Sequence, residues 1–275
     1  MTVVTSAANP AVKAARKLQR RHGRSRAGDA FLVEGPQAVT EALQFLQRLF
    51  VTPAAAEQHD ELVASAANAG ADVMTVAEPV LDELGTTVTP QGLIGVAVLP
   101  APPLEATLTA AGLVVVLHQV RDPGNAGTAL RSADAAGADA VILTRGSVDP
   151  RNPKAVRASA GSLFHLPVID DVAFDDVARA CREHGLRLVA AAGDGDVPHT
   201  DVDFSTPAAV VFGNEAHGLP PHVRGACDIA ARVPLHARVR PGYHGTAESL
   251  NLAMTVAVVA FEAARQRGGT ASTRP

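Results

Sequence analysis

The stretch 113–144, LVVVLHQVRDPGNAGTALRSADAAGADAVILT, decides the fold. Its first five residues are an unbroken, valine-rich apolar run, and the pattern predicts a strand over 113–118 that is buried on both faces, as in a parallel sheet. Pro123-Gly124-Asn125-Ala126-Gly127 then breaks the run with a tight turn and opens a helix over about 127–137. A second apolar run, 139–144, follows. Strand, glycine-marked turn, helix and strand form the repeating unit of an open α/β sheet, and such sheets bind ligands at their strand-to-helix turns.

The same rhythm extends downstream. Helices are expected over 153–163 and 173–184, strands over 186–192, 208–213 and 229–235, and a long helix over 248–267. This predicts a mostly parallel sheet with helices on its faces. Upstream, a basic helix, a strand at 31–34, a helix reaching Gln47, further short βα alternation and a strand at 92–98 read as a separate small α/β unit. Three prolines within 100–103 can neither continue a helix nor pair fully in a sheet. The expected organisation is a small α/β domain over 1–100, a linker over 101–110, a larger α/β domain over 111–268 and a disordered tail over 269–275.

Composition narrows the function. With 47% hydrophobic and 19% charged residues the chain is a folded globular protein. It has no Trp and one Tyr, which excludes an RNA binder that stacks bases on exposed aromatic rings. Cys181 and Cys227 lack CxxC spacing, and His217, His222, His236 and His244 lack paired ligand spacing, so no disulfide framework and no metal site are expected. Neither a signal peptide nor a run of 18 apolar residues is present, and a cytoplasmic protein without membrane association is expected.

Net charge is −4, but it is unevenly spread. Residues 1–28 hold Lys13, Arg16, Lys17, Arg20, Arg21, Arg24 and Arg26 and no acid, leaving 17 basic against 28 acidic residues, a net of −11, on the rest. A basic arm on an acidic body favours contact with a polyanion. The helical spacing of Lys13, Arg16, Lys17, Arg20 and Arg24 permits one phosphate-facing stripe, and a solvated terminal helix explains it equally well.

Three segments carry candidate chemistry. In the first, the helix opening at Asn125 offers free N–H groups to a polar ligand or anion, although Asn125 also reads as a simple cap and Arg131 as a surface charge. In the second, Gly213-Asn214-Glu215 leaves the apolar strand directly, and Gly218 and Pro220 reset the chain. Gly213 points to close backbone approach, and Glu215 reads equally as a cap for a helix near Leu219. In the third, a long polar loop, 236–247, leads to Glu248-Ser249-Leu250-Asn251, where Ser249 or Asn251 serves as a cap. Ser249 lacks a GxSxG elbow, Gly193-Asp-Gly195 does not continue to GxGxxG, and no P-loop is present.

In this order the segments resemble the SpoU (TrmH-type) RNA ribose 2′-O-methyltransferases of the SPOUT superfamily. The resemblance rests on Asn125-x-Gly127-x3-Arg131, on Phe212-Gly213-Asn214-Glu215-x2-Gly218-Leu219 and on Ser249-Leu250-Asn251. It is extended by Arg157-Ala-Ser-Ala-Gly161 with Leu166-Pro167, and upstream by Asn9-Pro10, the basic helix, Phe31-Leu-Val-Glu-Gly35 and Thr87-Val-Thr-Pro-Gln-Gly92, which look like the family's RNA-binding domain. The chain departs from the family in the long connection between Val233-Pro234 and Ser249 and in Ala216-His217.

The resemblance implies an α/β SPOUT domain with a parallel sheet and a deep trefoil knot, preceded by a small α/β RNA-binding domain. It further implies S-adenosylmethionine as cofactor, structured RNA as substrate, no metal, and a homodimer. Gly213, Asn214, Gly218, Val233, Leu235 and Leu250 would line the cofactor site. Asn125, Arg131, Glu215, Ser249 and Asn251 would form the catalytic surround, and Lys13, Arg16, Lys17, Arg20, Arg21, Arg24 and Arg157 would meet RNA. Large-subunit ribosomal RNA is the expected substrate. A transfer-RNA methyltransferase and a catalytically silent RNA-binding or ribosome-assembly protein are the alternatives, and a small-molecule α/β enzyme leaves the basic arm without a role.

Overall fold

The computed structural model describes residues 3–19, 29–87, 90–100, 102–239 and 244–268. The valine-rich run is strand β5, Leu113–Leu117, every residue of which is buried. The chain divides into two compact units: Met1–Ala101 with Asp149–His165, and Pro102–Val148 with Leu166–Pro275.

The first unit contains α1 (Pro10–Gln19), β1 (Ala30–Glu34), α2 (Pro36–Glu41), β2 (Leu46–Val51), α3 (Pro53–Gln58), α4 (Asp60–Asn68), β3 (Asp72–Thr75), α5 (Glu78–Asp82) and β4 (Leu93–Val98). Its sheet runs β1-β4-β2-β3, with β4 antiparallel to both neighbours and β2 parallel to β3. Val12 and Ala15 of α1 and Val80, Leu81 and Leu84 in and after α5 bury against Leu32, Phe50 and Ile94 on one sheet face. The segment after position 148 joins this unit through α8, Pro153–Ser159. Phe164 beyond it stacks on Phe31 and Phe45 with ring centroids 6.1 and 5.9 Å apart. The helix expected over 153–163 stops at Ser159 because Ala160 and Gly161 take φ of 48° and 101° and turn the chain.

The second unit contains, besides β5, α6 (Leu104–Leu108), α7 (Pro123–Ala135), β6 (Ala140–Thr144), β7 (Val168–Val172), α9 (Phe174–Glu183), β8 (Arg187–Ala191), β9 (Val197–Pro198), β10 (Ala208–Phe212), α10 (Pro221–Gly225), β11 (Ile229–Arg232) and α11 (Leu252–Gln266). Its sheet order is β7-β6-β5-β10-β8-β11-β9, and every pairing is parallel. Strand β10 enters between β5 and β8, so the order in which the chain lays down strands reverses there. Ligand sites in open α/β sheets lie at such a point. Val114, Val116, Ile142 and Val211 pack on one face with Val177, Ala180 and Cys181 of α9 and with Leu108, which is fully buried although it falls within the expected linker. Helices α7 and α11 pack together.

Two boundaries differ from the expectation in ways that matter. Strand β11 ends at Arg232 rather than 235, and α11 starts at Leu252 rather than 248. Residues 233–239 and 244–251 are irregular, which frees 248–251 to line a cavity. No helix among the described residues is long and apolar enough to cross a membrane.

Candidate active site

Loops leaving the ends of β8, β10 and β11, together with the openings of α7 and α11, enclose a cavity of about 500 Å3 in the second unit. Ala191, Ala192 and Gly193 form one wall, Phe212, Gly213 and Asn214 a second, and Glu248 through Leu252 a third.

The second wall exists because position 213 is glycine. A Cβ there would lie 2.5 Å from both the Gly218 carbonyl oxygen and the Leu219 nitrogen, with no side-chain end to give way. The turn closes on itself: the Asn214 N–H donates to the Gly218 carbonyl at 3.1 Å, and the Gly218 N–H donates back at 2.8 Å. Gly218 takes φ of 64°. The Asn214 side chain clamps this turn to the loop after β5, its Nδ2 donating to the Gln119 carbonyl at 2.8 Å and its Oδ1 accepting from the Ala216 N–H at 2.9 Å.

A chain of side-chain hydrogen bonds links the three segments. Asp122, not Asn125, caps α7, accepting the Asn125 N–H at 2.8 Å. The Asn125 amide is thereby available for longer-range partners. Its Nδ2 donates to Glu215 Oε1 at 3.2 Å, and its Oδ1 accepts from Asn251 Nδ2 at 3.0 Å. Asn251 does two jobs, because its Oδ1 also caps α11 by accepting the Ala253 N–H at 2.9 Å. Glu215 caps no helix near Leu219; its carboxylate instead accepts the Arg121 and Asp122 N–H groups at 3.3 and 3.2 Å. Burial alone would push the Glu215 carboxyl up, but its own backbone N–H, the Asn125 amide and the two N–H groups at 121 and 122 hold it below the usual carboxylate range. Glu215 is therefore an ionised, fully engaged anchor.

Of the residues singled out from sequence, Asn125, Glu215, Ser249 and Asn251 line this one cavity, as do Gly213, Asn214, Gly218, Val233, Leu235 and Leu250. Arg131 does not: it stands exposed on α7. In the first unit, Lys13 and Lys17 belong to α1, where Lys13 is exposed, and Arg16 pairs with Glu83 at 2.6 Å. Arg157 lies on α8 and donates to Thr86 Oγ1 at 2.6 Å. Arg20, Arg21 and Arg24 lie outside the described residues.

Sequence reading missed the wall at 191–193 and the contributions of Thr255 and Val259. The loop 193–196 behind that wall is held by Arg232, which donates to the Gly195 and Asp196 carbonyls at 2.6 and 2.7 Å, and by the Arg224–Asp194 ion pair at 2.6 Å. A signal was present: an apolar strand running straight into Gly193-Asp-Gly195.

The chemistry of the lining restricts the ligand. Among the described residues that face the cavity, Glu215 and Glu248 are the only charged ones, with no Lys, Arg or His. A diphosphate would be repelled, whereas a cationic ligand with a flat apolar part fits between the carboxylates and the Val233, Leu235 and Leu250 side chains. S-adenosylmethionine, with a sulfonium, an ammonium and an adenine ring, is such a ligand. Among the described residues no group of three or more His, Cys, Asp or Glu could hold a metal.

Comparison with known proteins agrees with this geometry. Residues 112–261 match the SpoU rRNA Methylase family, and residues 9–95 match the MRM3-like substrate binding domain. A 23S rRNA (guanosine(2553)-2′-O)-methyltransferase of Bacillus subtilis is 31% identical over 266 residues, covering 95% of this chain and 98% of the relative. A 23S rRNA (uridine(2479)-2′-O)-methyltransferase of Streptomyces viridochromogenes is 34% identical over 209 residues, 73% of this chain and 70% of the relative. The crystal structure of an AdoMet-bound rRNA methyltransferase from Sinorhizobium meliloti superposes with a TM-score of 0.79 at 32% identity, covering 96% of this chain and 97% of that one. The chain belongs to the SpoU rRNA Methylase family and is an RNA 2′-O-methyltransferase that uses S-adenosylmethionine.

Proposed function

We propose that the chain methylates a ribose 2′-hydroxyl of large-subunit ribosomal RNA in the cytoplasm, as a homodimer, with its cofactor held in the cavity at the ends of β8, β10 and β11. The observation that carries this reading is the convergence of Asn125, Glu215 and Asn251, drawn from three distant segments, into one hydrogen-bonded chain on the cavity wall. The relatives from Bacillus subtilis and Streptomyces viridochromogenes support the choice of 23S rRNA.

In this reading Gly213, Asn214, Gly218, Val233, Leu235 and Leu250 hold the cofactor, largely through backbone groups and apolar side chains. Bound there, S-adenosylmethionine supplies an electrophilic sulfonium methyl group. The residues of the chain then have to bring a ribose 2′-oxygen into line with it and exclude competing water. Asn125 and Asn251, fixed by Glu215 and by the cap of α11, orient the site, and Ser249 offers a hydroxyl beside them. Arg131, exposed on α7, holds the phosphate next to the target ribose. Its guanidinium, always charged, is a binder of phosphate rather than a base. Lys13, Arg16 and Lys17 of α1, with Arg20, Arg21 and Arg24 beyond it and Arg157 of α8, bind the RNA backbone.

A deep trefoil knot is part of the same proposal. The entry of β10 between β5 and β8, and the sharing of one cavity by 191–193, 213–218 and 248–252, support it. The homodimer is supported by an apolar stripe on α11: Met254, Val258 and Phe261 are 49%, 38% and 51% exposed at helical spacing, with Leu250 leading into it.

Calorimetric titration of S-adenosylmethionine into the protein and into Gly213→Ala tests the cofactor site. Micromolar binding to the natural protein and its loss in a folded Gly213→Ala variant is the expected result. Equal affinity in the variant contradicts the assignment.

A further inference from the structure

The first unit holds a cavity of its own, about 490 Å3 in volume. Its floor is formed by the buried Ala55 and Leu81 with the buried Thr52, flanked by Pro36, Ala54 and Pro90. Its rim is polar: Gln58, His59, Glu78, Asp82 and Gln91. None of these five side chains hydrogen-bonds or pairs with another described residue. None takes part in the methyl-transfer site.

Two glycines shape this cavity, which accounts for sequence features that methyl transfer leaves unexplained. Gly92 has φ of 78°, and a Cβ there would sit 2.5 Å from the Ala55 Cβ and 2.8 Å from Thr52 Oγ1. Gly35 has φ of 91°, and its missing Cβ leaves room for Gln91 Oε1, which would otherwise lie 2.8 Å away. The residue after β1 and the Pro90-Gln91-Gly92 segment therefore meet beside the cavity, with the Gln91 side chain against Gly35.

The lining contains two carboxylates and, among the described residues, His59 but neither Lys nor Arg, so it repels a phosphate and favours a group that presents N–H donors. A largely aliphatic floor under a hydrogen-bonding rim suits a flat heterocycle. Among RNA bases, guanine alone presents two adjacent donors, N1–H and N2–H2, to one carboxylate, while its O6 and N7 accept from glutamine amides. Adenine and cytosine offer a single amine, and the N3–H of uracil is flanked by carbonyls that a carboxylate repels. Proteins read RNA sequence chiefly from bases splayed out of single strands and loops.

We propose that this cavity receives an unstacked guanine of the substrate RNA, read by Glu78 and Asp82 and by the amides of Gln58 and Gln91. The proposal rests on the reading of the chain as a ribosomal-RNA methyltransferase and names what its first unit recognises. It makes Glu78 and Asp82 RNA-specificity residues, although carboxylates ordinarily weaken RNA binding.

The test uses the full-length protein and an unmodified 23S rRNA transcript carrying sparse 6-thioguanosine, or sparse 4-thiouridine as a control. Irradiation is expected to cross-link the thioguanosine transcript to peptides containing 54–59 or 78–92, and the thiouridine transcript not to those peptides. In Glu78→Gln with Asp82→Asn, which removes two exposed charges without disturbing a hydrogen bond, transcript affinity should fall roughly tenfold, the order of one lost bidentate base contact. Cofactor affinity should be unchanged. Equal or tighter transcript binding by the variant overturns the inference, because neutralising acids that only repel phosphate would tighten it. Binding of free GMP that the variant loses, with transcript affinity unaltered, also overturns it by making the site one for a small nucleotide. If the natural protein methylates the transcript in any of these cases, the functional reading stands and only the guanine pocket fails.

Discussion

Replacing Asn251 separates two roles that one side chain combines. Its Oδ1 caps α11 through Ala253 at 2.9 Å, and its Nδ2 holds Asn125 at 3.0 Å. Loss of an N-cap costs about 1 kcal/mol. Loss of a neutral side-chain hydrogen bond costs about 1 kcal/mol more. Asn251→Ala should therefore be destabilised by about 2 kcal/mol, and a chain of this size should melt several degrees lower, at roughly 2–4 °C per kcal/mol. Asn251→Asp keeps an oxygen at the cap but has no donor for Asn125, so its loss should be about 1 kcal/mol, half that of the alanine variant. Both variants release Asn125 from one of its two partners. Methyl transfer under saturating cofactor should fall at least tenfold in each, a barrier increase of about 1.4 kcal/mol. Thermal melts and single-turnover transfer of labelled methyl to RNA measure the two effects. Full transfer activity in Asn251→Asp would refute the view that the Asn251–Asn125–Glu215 chain orients the site. Equal destabilisation of the two variants would refute the assignment of the cap.

Arg131→Lys should lose most turnover and weaken RNA affinity, since an ammonium cannot hold phosphate in two places; near-full turnover with unchanged affinity would exclude bidentate phosphate holding. Met254→Glu with Phe261→Glu should shift the protein from dimer to monomer in sedimentation equilibrium, and a dimer that survives both charges would place the interface elsewhere. His118 is 3% exposed and its Nε2 has no hydrogen-bond partner among the described residues, and burial, with His222 nearby, pushes its pKa below the ordinary value of 6.5. The neutral form is favoured in the folded state, so its contribution is present above the unfolded pKa and is lost as pH falls from there toward the folded one. Between pH 7 and 5 the natural protein should lose stability faster than His118→Gln, by at most about 1.4 kcal/mol per pH unit. Parallel urea midpoints for the two proteins across that range would contradict the buried neutral histidine.

Much of the second unit is legible in the sequence because its strands are strongly marked. Leu113–Leu117 and Ala208–Phe212 are apolar at every position and are buried at every position. Asn125, Gly213 to Glu215 with Gly218, and Ser249 to Asn251 are readable through motif order, and the cavity gathers them. What escapes is encoded in tertiary context. Strand β7, Val-Ile-Asp-Asp-Val, carries two adjacent aspartates that an edge strand tolerates and a periodicity reading rejects. The start of α11 is ambiguous in the sequence, where Ser249 and Asn251 both read as caps, and the cap bond of Asn251 to Ala253, with its bond to Asn125, fixes the start at Leu252. Local pattern cannot show that α8 packs with the first unit, because Phe164 finds Phe31 and Phe45 across more than a hundred residues. Nor can it show that Arg131 stands off the cavity that Asn125 lines from the same helix.

Alkali distinguishes methyl transfer to a ribose hydroxyl from every other methylation. RNA chains break at an unmodified 2′-hydroxyl and survive where that oxygen carries a methyl group. The protein should be incubated with methyl-labelled S-adenosylmethionine and an unmodified 23S rRNA transcript, and the RNA then hydrolysed to completion in alkali. Label is expected in an alkali-resistant dinucleotide. Label in mononucleotides, the signature of base methylation, or an unlabelled transcript alongside demonstrated cofactor binding, would contradict ribose methylation of this RNA.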